Sequence, residues 1–274
     1  MEVFEFQINP RLKKEFLMES FYFAPKNFYE KKLGFLFCVG ELKNAPPKKS
    51  TFLSQLAIFL RENFYKNFSK KREAAFKDLL VLANDFFDQL LKKGEDFWCF
   101  NLNFFICNLK QTEFLFSKTG EFKVSIFRAG KLYDLEKKLK GKTPTLKVFD
   151  KIAKGKLKER DTLFVLNKEL FRTLEKEKIF SHSLFLNEEI LRNKIKEKEE
   201  SLKNSTGIIF GIYVKKTKVF EPLKKEKFEV KKILKNLSLK TNFFQKIHSL
   251  SSNPKILLWL LLLFVLLLGK IILK

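Results

Sequence analysis

The hydrophobic and polar positions of this 274-residue chain change period several times, and each change marks an element. Residues 3–8 alternate weakly before Asn9-Pro10 and predict an edge strand, and a second apolar run, 16–23, stops at Pro25. Residues 33–42 form a nearly unbroken apolar run closed by a turn, the pattern of a buried strand. After Pro46-Pro47 the period becomes 3.6: Leu53, Leu56, Ala57, Leu60 and Phe64 share one helical face. Phe76, Leu79, Leu80, Ala83, Phe87 and Leu90 repeat that face in a longer helix ended by Gly94.

Period two then returns. Residues 97–109 predict a strand with Trp98, Phe100, Leu102, Phe104 and Ile106 on one face and Asn101 and Asn103 interrupting the other. Strands at 113–117, 122–126 and 132–135 follow, with turns at Thr119-Gly120 and Ala129-Gly130, and together they predict an antiparallel meander. A lysine-rich loop, 137–142, precedes an apolar stretch from 146 to 153 and a turn at Gly155. Residues 162–166 predict a short buried strand, 170–174 and 188–202 predict helical segments, and 206–214 predict a last strand. The fold class expected is α+β.

The tail has no period at all. Residues 256–268 are thirteen consecutive apolar side chains, including Ile256, Trp259, Phe264 and Leu268. Thirteen residues cover only about 20 Å as a helix, but Gly269, Lys270 and the apolar residues 271–273 extend it toward the ~30 Å hydrocarbon core of a bilayer. Lys270 costs about 3 kcal/mol at mid-membrane, whereas the apolar run returns roughly 4 to 8 kcal/mol, and a lysine near the end can reach the interface. The segment therefore predicts a C-terminal transmembrane anchor.

Charge gives the anchor a direction. The net charge is +24, and residues 215–246 hold eleven lysines, Lys215 to Lys246, against Glu221, Glu226 and Glu229. By the positive-inside rule the N-terminal part is cytoplasmic, which predicts a single-pass protein of the cell membrane. Juxtamembrane lysines also predict contact with anionic lipid. The expected division is a domain at 1–214, a basic linker at 215–253 and the anchor at 254–274.

Candidate chemistry narrows the picture mainly by exclusion. Cys38, Cys99 and Cys107 are odd in number, sit in apolar runs and predict reduced core thiols. His182 and His248 are the only histidines, and Ser181 and Ser183 flank His182 too closely in sequence for a triad. No glycine-rich phosphate loop occurs. The 34 Phe residues, interleaved with Lys, could stack nucleic-acid bases, but most occupy core-spaced positions, so nucleic acid ranks last among partners.

The order of elements, together with the segments 33–42 (LGFLFCVGEL), 120–132 (GEFKVSIFRAGKL) and 155–166 (GKLKERDTLFVL), resembles the type 2C metal-dependent (PPM-type) serine/threonine protein phosphatases, in particular divergent membrane-tethered bacterial members. The resemblance implies an αββα four-layer sandwich for residues 1–214. In active members it also implies two divalent ions, magnesium or manganese, held by carboxylates at the sheet ends around a nucleophilic water. Against that pattern the chain has Val39-Gly40 where active members have Asp-Gly, and Asn167-Lys168-Glu169 where they have Ser-Asp-Gly. It has Lys203-Asn204 in place of Asp-Asn, and Gly120-Glu121-Phe122-Lys123 in place of Gly-Asp-Ser-Arg. Val39, Gly40, Lys168 and Lys203 are thus the expected degenerate metal positions, while a one-residue shift of the alignment brings Glu41 or Glu169 into play. A lysine about 4 Å from an ion site adds roughly 4 kcal/mol of repulsion per unit of ionic charge at an effective dielectric near 20. The expectation is a domain with no catalytic residues, no bound metal and no cofactor, acting as a binding or scaffolding module for an unknown protein partner. The alternatives are a divergent active metal-dependent phosphatase, which would use magnesium or manganese, and a membrane-tethered nucleic-acid binder.

Overall fold

A computed structural model describes residues 1–8, 16–136, 139 and 147–215. Among the described residues, ten strands form two five-stranded antiparallel sheets, flanked by six α-helices and a short 3-10 helix, Pro47–Lys49. The first sheet runs β1 (Glu2–Ile8), β10 (Gly207–Tyr213), β9 (Thr162–Asn167), β6 (Phe122–Arg128), β7 (Lys131–Asp134). The second runs β2 (Leu17–Phe23), β3 (Phe35–Leu42), β4 (Leu102–Lys110), β5 (Glu113–Thr119), β8 (Ala153–Lys156). As the weak alternation of its sequence predicts, β1 is an edge strand.

Side-chain alternation sorts each strand between two cores. From the second sheet, Phe37, Val39, Phe105, Cys107 and Phe116 meet Val124, Leu163, Val165, Ile208, Phe210 and Ile212 of the first. The rings of Phe37 and Phe210 touch across this interior, 6.0 Å between centroids. The intervening residues face outward: Leu36, Cys38, Phe104 and Ile106 pack on α2 (Phe52–Lys66) and α3 (Arg72–Lys92). On the other side, Phe164, Leu166 and Ile209 pack on α4 (Lys168–Lys176), α5 (Glu188–Glu197) and α6 (Glu199–Leu202). Layers of helix, sheet, sheet and helix follow. Each fully buried Leu or Phe contributes about 1.5 to 3 kcal/mol, so the three apolar clusters supply most of the driving force. All the described elements belong to one compact unit that ends near residue 217.

Both long helices form where the 3.6 spacing places them, with Leu53, Leu56, Ala57, Leu60 and Phe64 of α2 buried against Phe76, Leu79, Ala83 and Phe87 of α3. The small helix α1 (Phe28–Lys31) is capped by Asn27, whose side chain accepts the Glu30 N–H at 2.9 Å.

Four expectations change. Strand β4 starts at Leu102, not at residue 97, because the Trp98 carbonyl accepts the N–H groups of both Asn101 and Leu102 and so closes a turn. Trp98 is buried beneath that turn, whereas Phe100 has φ +60° and is fully exposed. The meander breaks at Gly120: β5 pairs with β4 and β8, β6 pairs with β7 and β9, and the chain passes from one sheet to the other at a residue with φ +71°. Gly155 is not a turn but part of β8, where the Phe114 ring lies so close that a Cβ would approach it to 2.1 Å. The helix expected over 188–202 is two helices, α5 and α6, divided at Lys198.

Among the described residues no helix is long and apolar enough to cross a membrane. The predicted anchor, with Ile256, Trp259, Phe264, Leu268 and Lys270, lies outside the described residues, as does the basic linker beyond Lys215.

Candidate functional site

The apolar interior between the sheets ends in a polar cluster. On β3 the inward series is Phe37, Val39, Glu41, and on β9 it is Leu163, Val165, Asn167. Asn103 lies directly opposite Glu41 on β4, one step before Phe105 and Cys107. Glu41 is fully buried, Asn103 is 6% exposed and Asn167 4%.

Both oxygens of the Glu41 carboxylate accept hydrogen bonds. The Asn103 Nδ2 donates to Oε2 at 3.2 Å, and the Asn167 Nδ2 reaches Oε1 at 3.0 Å and Oε2 at 3.2 Å. The Ile208 backbone N–H adds a bond to Oε1 at 2.9 Å. Neither amide can turn its oxygen inward without losing a second bond. The Asn103 Oδ1 accepts the Glu121 N–H at 2.7 Å, and the Asn167 Oδ1 caps α4 by accepting the Leu170 N–H at 2.7 Å. Asn167 also donates to the Thr206 carbonyl at 2.9 Å. The cluster therefore ties β3 and β4 of one sheet to β9 and β10 of the other. Two glycines make room for it: at Gly120 a Cβ would lie 2.2 Å from the Asn103 Oδ1, and at Gly207, 2.3 Å from the Asn167 Nδ2.

Burial pushes the Glu41 carboxyl up to about 7, while the bonds from Ile208, Asn103 and Asn167 and the charge of Lys43 pull it down. The ion pair at the far end of β9, between a buried Asp161 and a partly exposed Arg128, is different in kind. Asp161, before the strand, receives Arg128 Nε at 2.9 Å and Nη2 at 2.5 Å, and this bond raises the arginine's already high pKa.

The four positions expected to be degenerate have different surroundings. Val39 is in the inter-sheet core, and Gly40 faces the opposite side, where a Cβ would meet Leu53 at 2.8 Å and Phe104 at 3.0 Å. Lys168 is half exposed, 3.6 Å from the Glu121 carboxylate. Lys203 pairs with Glu200 on the surface after α6. Glu169 is exposed in the first turn of α4. The cluster lies one residue from two of those positions, since Glu41 follows Gly40 and Asn167 precedes Lys168. Its signal was present in the sequence as a Glu and an Asn continuing the inward period of two apolar strands.

What can this arrangement do? Two magnesium or manganese ions need lone pairs from several carboxylates, but here three N–H groups point at the only carboxylate that the cluster contains among the described residues. Among the described residues no three His, Cys, Asp or Glu side chains gather into a group that could hold a metal. The side chains present do not fit the metals that active type 2C phosphatases carry. They fit a closed, internally satisfied polar link between two sheets.

No family model matches the sequence, and no curated protein matches it. The solved structures do. The S. agalactiae serine/threonine phosphatase superposes with a TM-score of 0.54 at 12% identity, over 78% of this chain and 99% of that one. A bacterial serine phosphatase superposes with a TM-score of 0.52 at 11% identity, over 79% of this chain and 99% of that one. The domain has the PPM-type, or type 2C, serine/threonine phosphatase fold.

Proposed function

We propose that this chain uses the phosphatase fold as a non-catalytic binding or scaffolding domain, held at the cytoplasmic face of a membrane by its C-terminal segment. The observation that carries the reading is the set of three N–H groups, from Asn103, Asn167 and Ile208, that already face the two Glu41 carboxylate oxygens where a metal would need them. The thirteen-residue apolar run at 256–268, preceded by the lysines of 215–246, supports the tether.

Titration calorimetry of the intact chain with magnesium and manganese, paired with a phosphopeptide hydrolysis assay, tests it. Neither ion binds at micromolar concentration, and phosphate release does not depend on metal. Metal-dependent turnover abolished by Glu41→Gln would establish the competing reading, a divergent active phosphatase with a rearranged site.

A further inference from the structure

The described surface carries an aromatic cluster that the fold does not use. Phe28 and Tyr29, on α1, are 72% and 55% exposed, and Phe68, between α2 and α3, is 44% exposed. Their rings touch: Phe28 to Tyr29 at 6.1 Å and Tyr29 to Phe68 at 5.3 Å between centroids. Beneath them the chain is firmly held, since the Tyr65 hydroxyl donates to the Gly34 carbonyl at 2.9 Å and lies 3.0 Å from that of Phe23. The cluster is therefore presented on an anchored loop.

Cations surround it. Lys26, Lys31, Lys32 and Lys66 are exposed, and Arg61 lines a hollow of about 550 Å³ with Tyr29, Tyr65, Lys66 and Phe68. The nearby acids are Glu30 and Glu62, and Glu30 is engaged by the Lys26 N–H and the Asn27 side chain. Lys26, Lys31, Lys32 and Lys66 have no ion-pair partner among the described residues. Charge complementarity thus selects an anionic partner.

Ring geometry selects its kind. A nucleic-acid platform offers flat ring faces to bases, but the Lys32 ammonium sits 5.6 Å from the centroids of both Phe28 and Tyr29, and the rings are steeply inclined to each other, 78° and 48°. Exposed, mutually inclined rings flanked by flexible cations instead suit the boundary of a bilayer, where rings enter among the headgroups and lysines meet lipid phosphates. We propose that Phe28, Tyr29 and Phe68, with Lys26, Lys31, Lys32 and Lys66, form a docking surface for an anionic lipid bilayer. It is a second membrane contact, distinct from the C-terminal segment.

Hydrogen–deuterium exchange on the full chain in nanodiscs tests this, comparing zwitterionic discs with discs containing phosphatidylglycerol. Co-purification with discs of either composition reads the C-terminal anchor, so failure of the tether and failure of this surface are told apart. Exchange at residues 26–32 and 64–70 slows about fivefold or more in the anionic discs, as expected for even one lysine held near an anionic surface. Phe28→Ser/Phe68→Ser abolishes that protection, and so does Lys26→Glu/Lys31→Glu/Lys66→Glu, an all-surface change that spares the core. Equal exchange in both lipids, or protection that survives both variants, overturns the proposal. So does protection by an oligonucleotide or an acidic peptide in detergent together with none by anionic lipid.

Discussion

The amide of Asn167 and the carboxylate of Glu41, 126 residues apart in sequence and on different sheets, meet at 3.0 Å in the fully closed interior of the sandwich. The same amide caps α4 through its oxygen. One side chain thereby fixes a helix start, a sheet end and a contact between layers.

Removing the acceptor leaves several buried donors empty at once. Glu41→Leu strands the Asn103 Nδ2 and the Ile208 N–H, and at about 1 to 3 kcal/mol per orphaned donor it lowers unfolding free energy by about 4 kcal/mol. Glu41→Gln keeps one oxygen for Ile208 and Asn167 but turns an NH2 group toward Asn103, at a cost of about 2 kcal/mol. Urea denaturation of both variants checks the ranking. Equal losses would show that the hydrogen bonds are not what Glu41 contributes.

Stability also depends on pH through this residue. The folded state holds the Glu41 proton up to about 7, against 4.5 for an ordinary carboxyl, so between those values the folded chain binds more protons than the unfolded one. The stabilisation is complete below about 4.5 and is lost as pH rises through 7, a change of about 3 kcal/mol. In denaturation curves from pH 5 to 8, the wild type loses stability relative to Glu41→Gln as pH rises. A difference that stays flat, or grows in the opposite sense, refutes this assignment.

At the other end of β9 the expected effect is smaller. Arg128→Leu removes both guanidinium bonds from Asp161, which is 1% exposed, but leaves the carboxylate the Lys158 N–H. Because the arginine is itself partly exposed, the loss is about 2 kcal/mol rather than the 3 to 5 of a fully buried pair. Thermal unfolding of Arg128→Leu beside Arg128→Lys separates charge from fork geometry, and full retention of stability in both would discount the pair.

Gly120→Ala tests the crossing between the sheets. Its φ of +71° disfavours any Cβ, and that atom would fall 2.2 Å from the Asn103 Oδ1 and 2.5 Å from the Leu102 carbonyl oxygen. The substitution costs about 2 to 3 kcal/mol and perturbs the amide resonances of Glu121 and Ile208 alike, since Asn103 links them through Glu41. A change confined to the β5–β6 turn would mean that the cluster tolerates displacement of Asn103.

Local pattern made some of this legible and left the rest unreadable. The faces of α2 and α3 follow from 3.6 spacing because each helix buries one stripe on one sheet. Strands β4 and β9 are harder, since both of their faces are buried and alternation carries no inside or outside. Trp98 and Phe100 mimic continued alternation, yet the turn that separates them depends on backbone bonds invisible in composition. The sheet change at Gly120 is a choice between neighbours that only the assembled layers decide. Glu41 and Asn167 could be picked out as polar residues in phase with apolar ones, but their pairing spans 126 residues and had no local signature.

The two polar ends of β9 set something that its apolar middle cannot. Leu163 and Val165 point inward and Phe164 and Leu166 outward, so sliding the strand two residues along its neighbours, about 6.6 Å, would keep every oily side chain on its proper face. Such a slip would nevertheless carry Asp161 away from Arg128 and Asn167 away from Glu41, taking a partner from a buried carboxylate at each end. Hydrophobicity chooses which way the strand faces, and these two clasps act as the ruler that says where along its length it must stop.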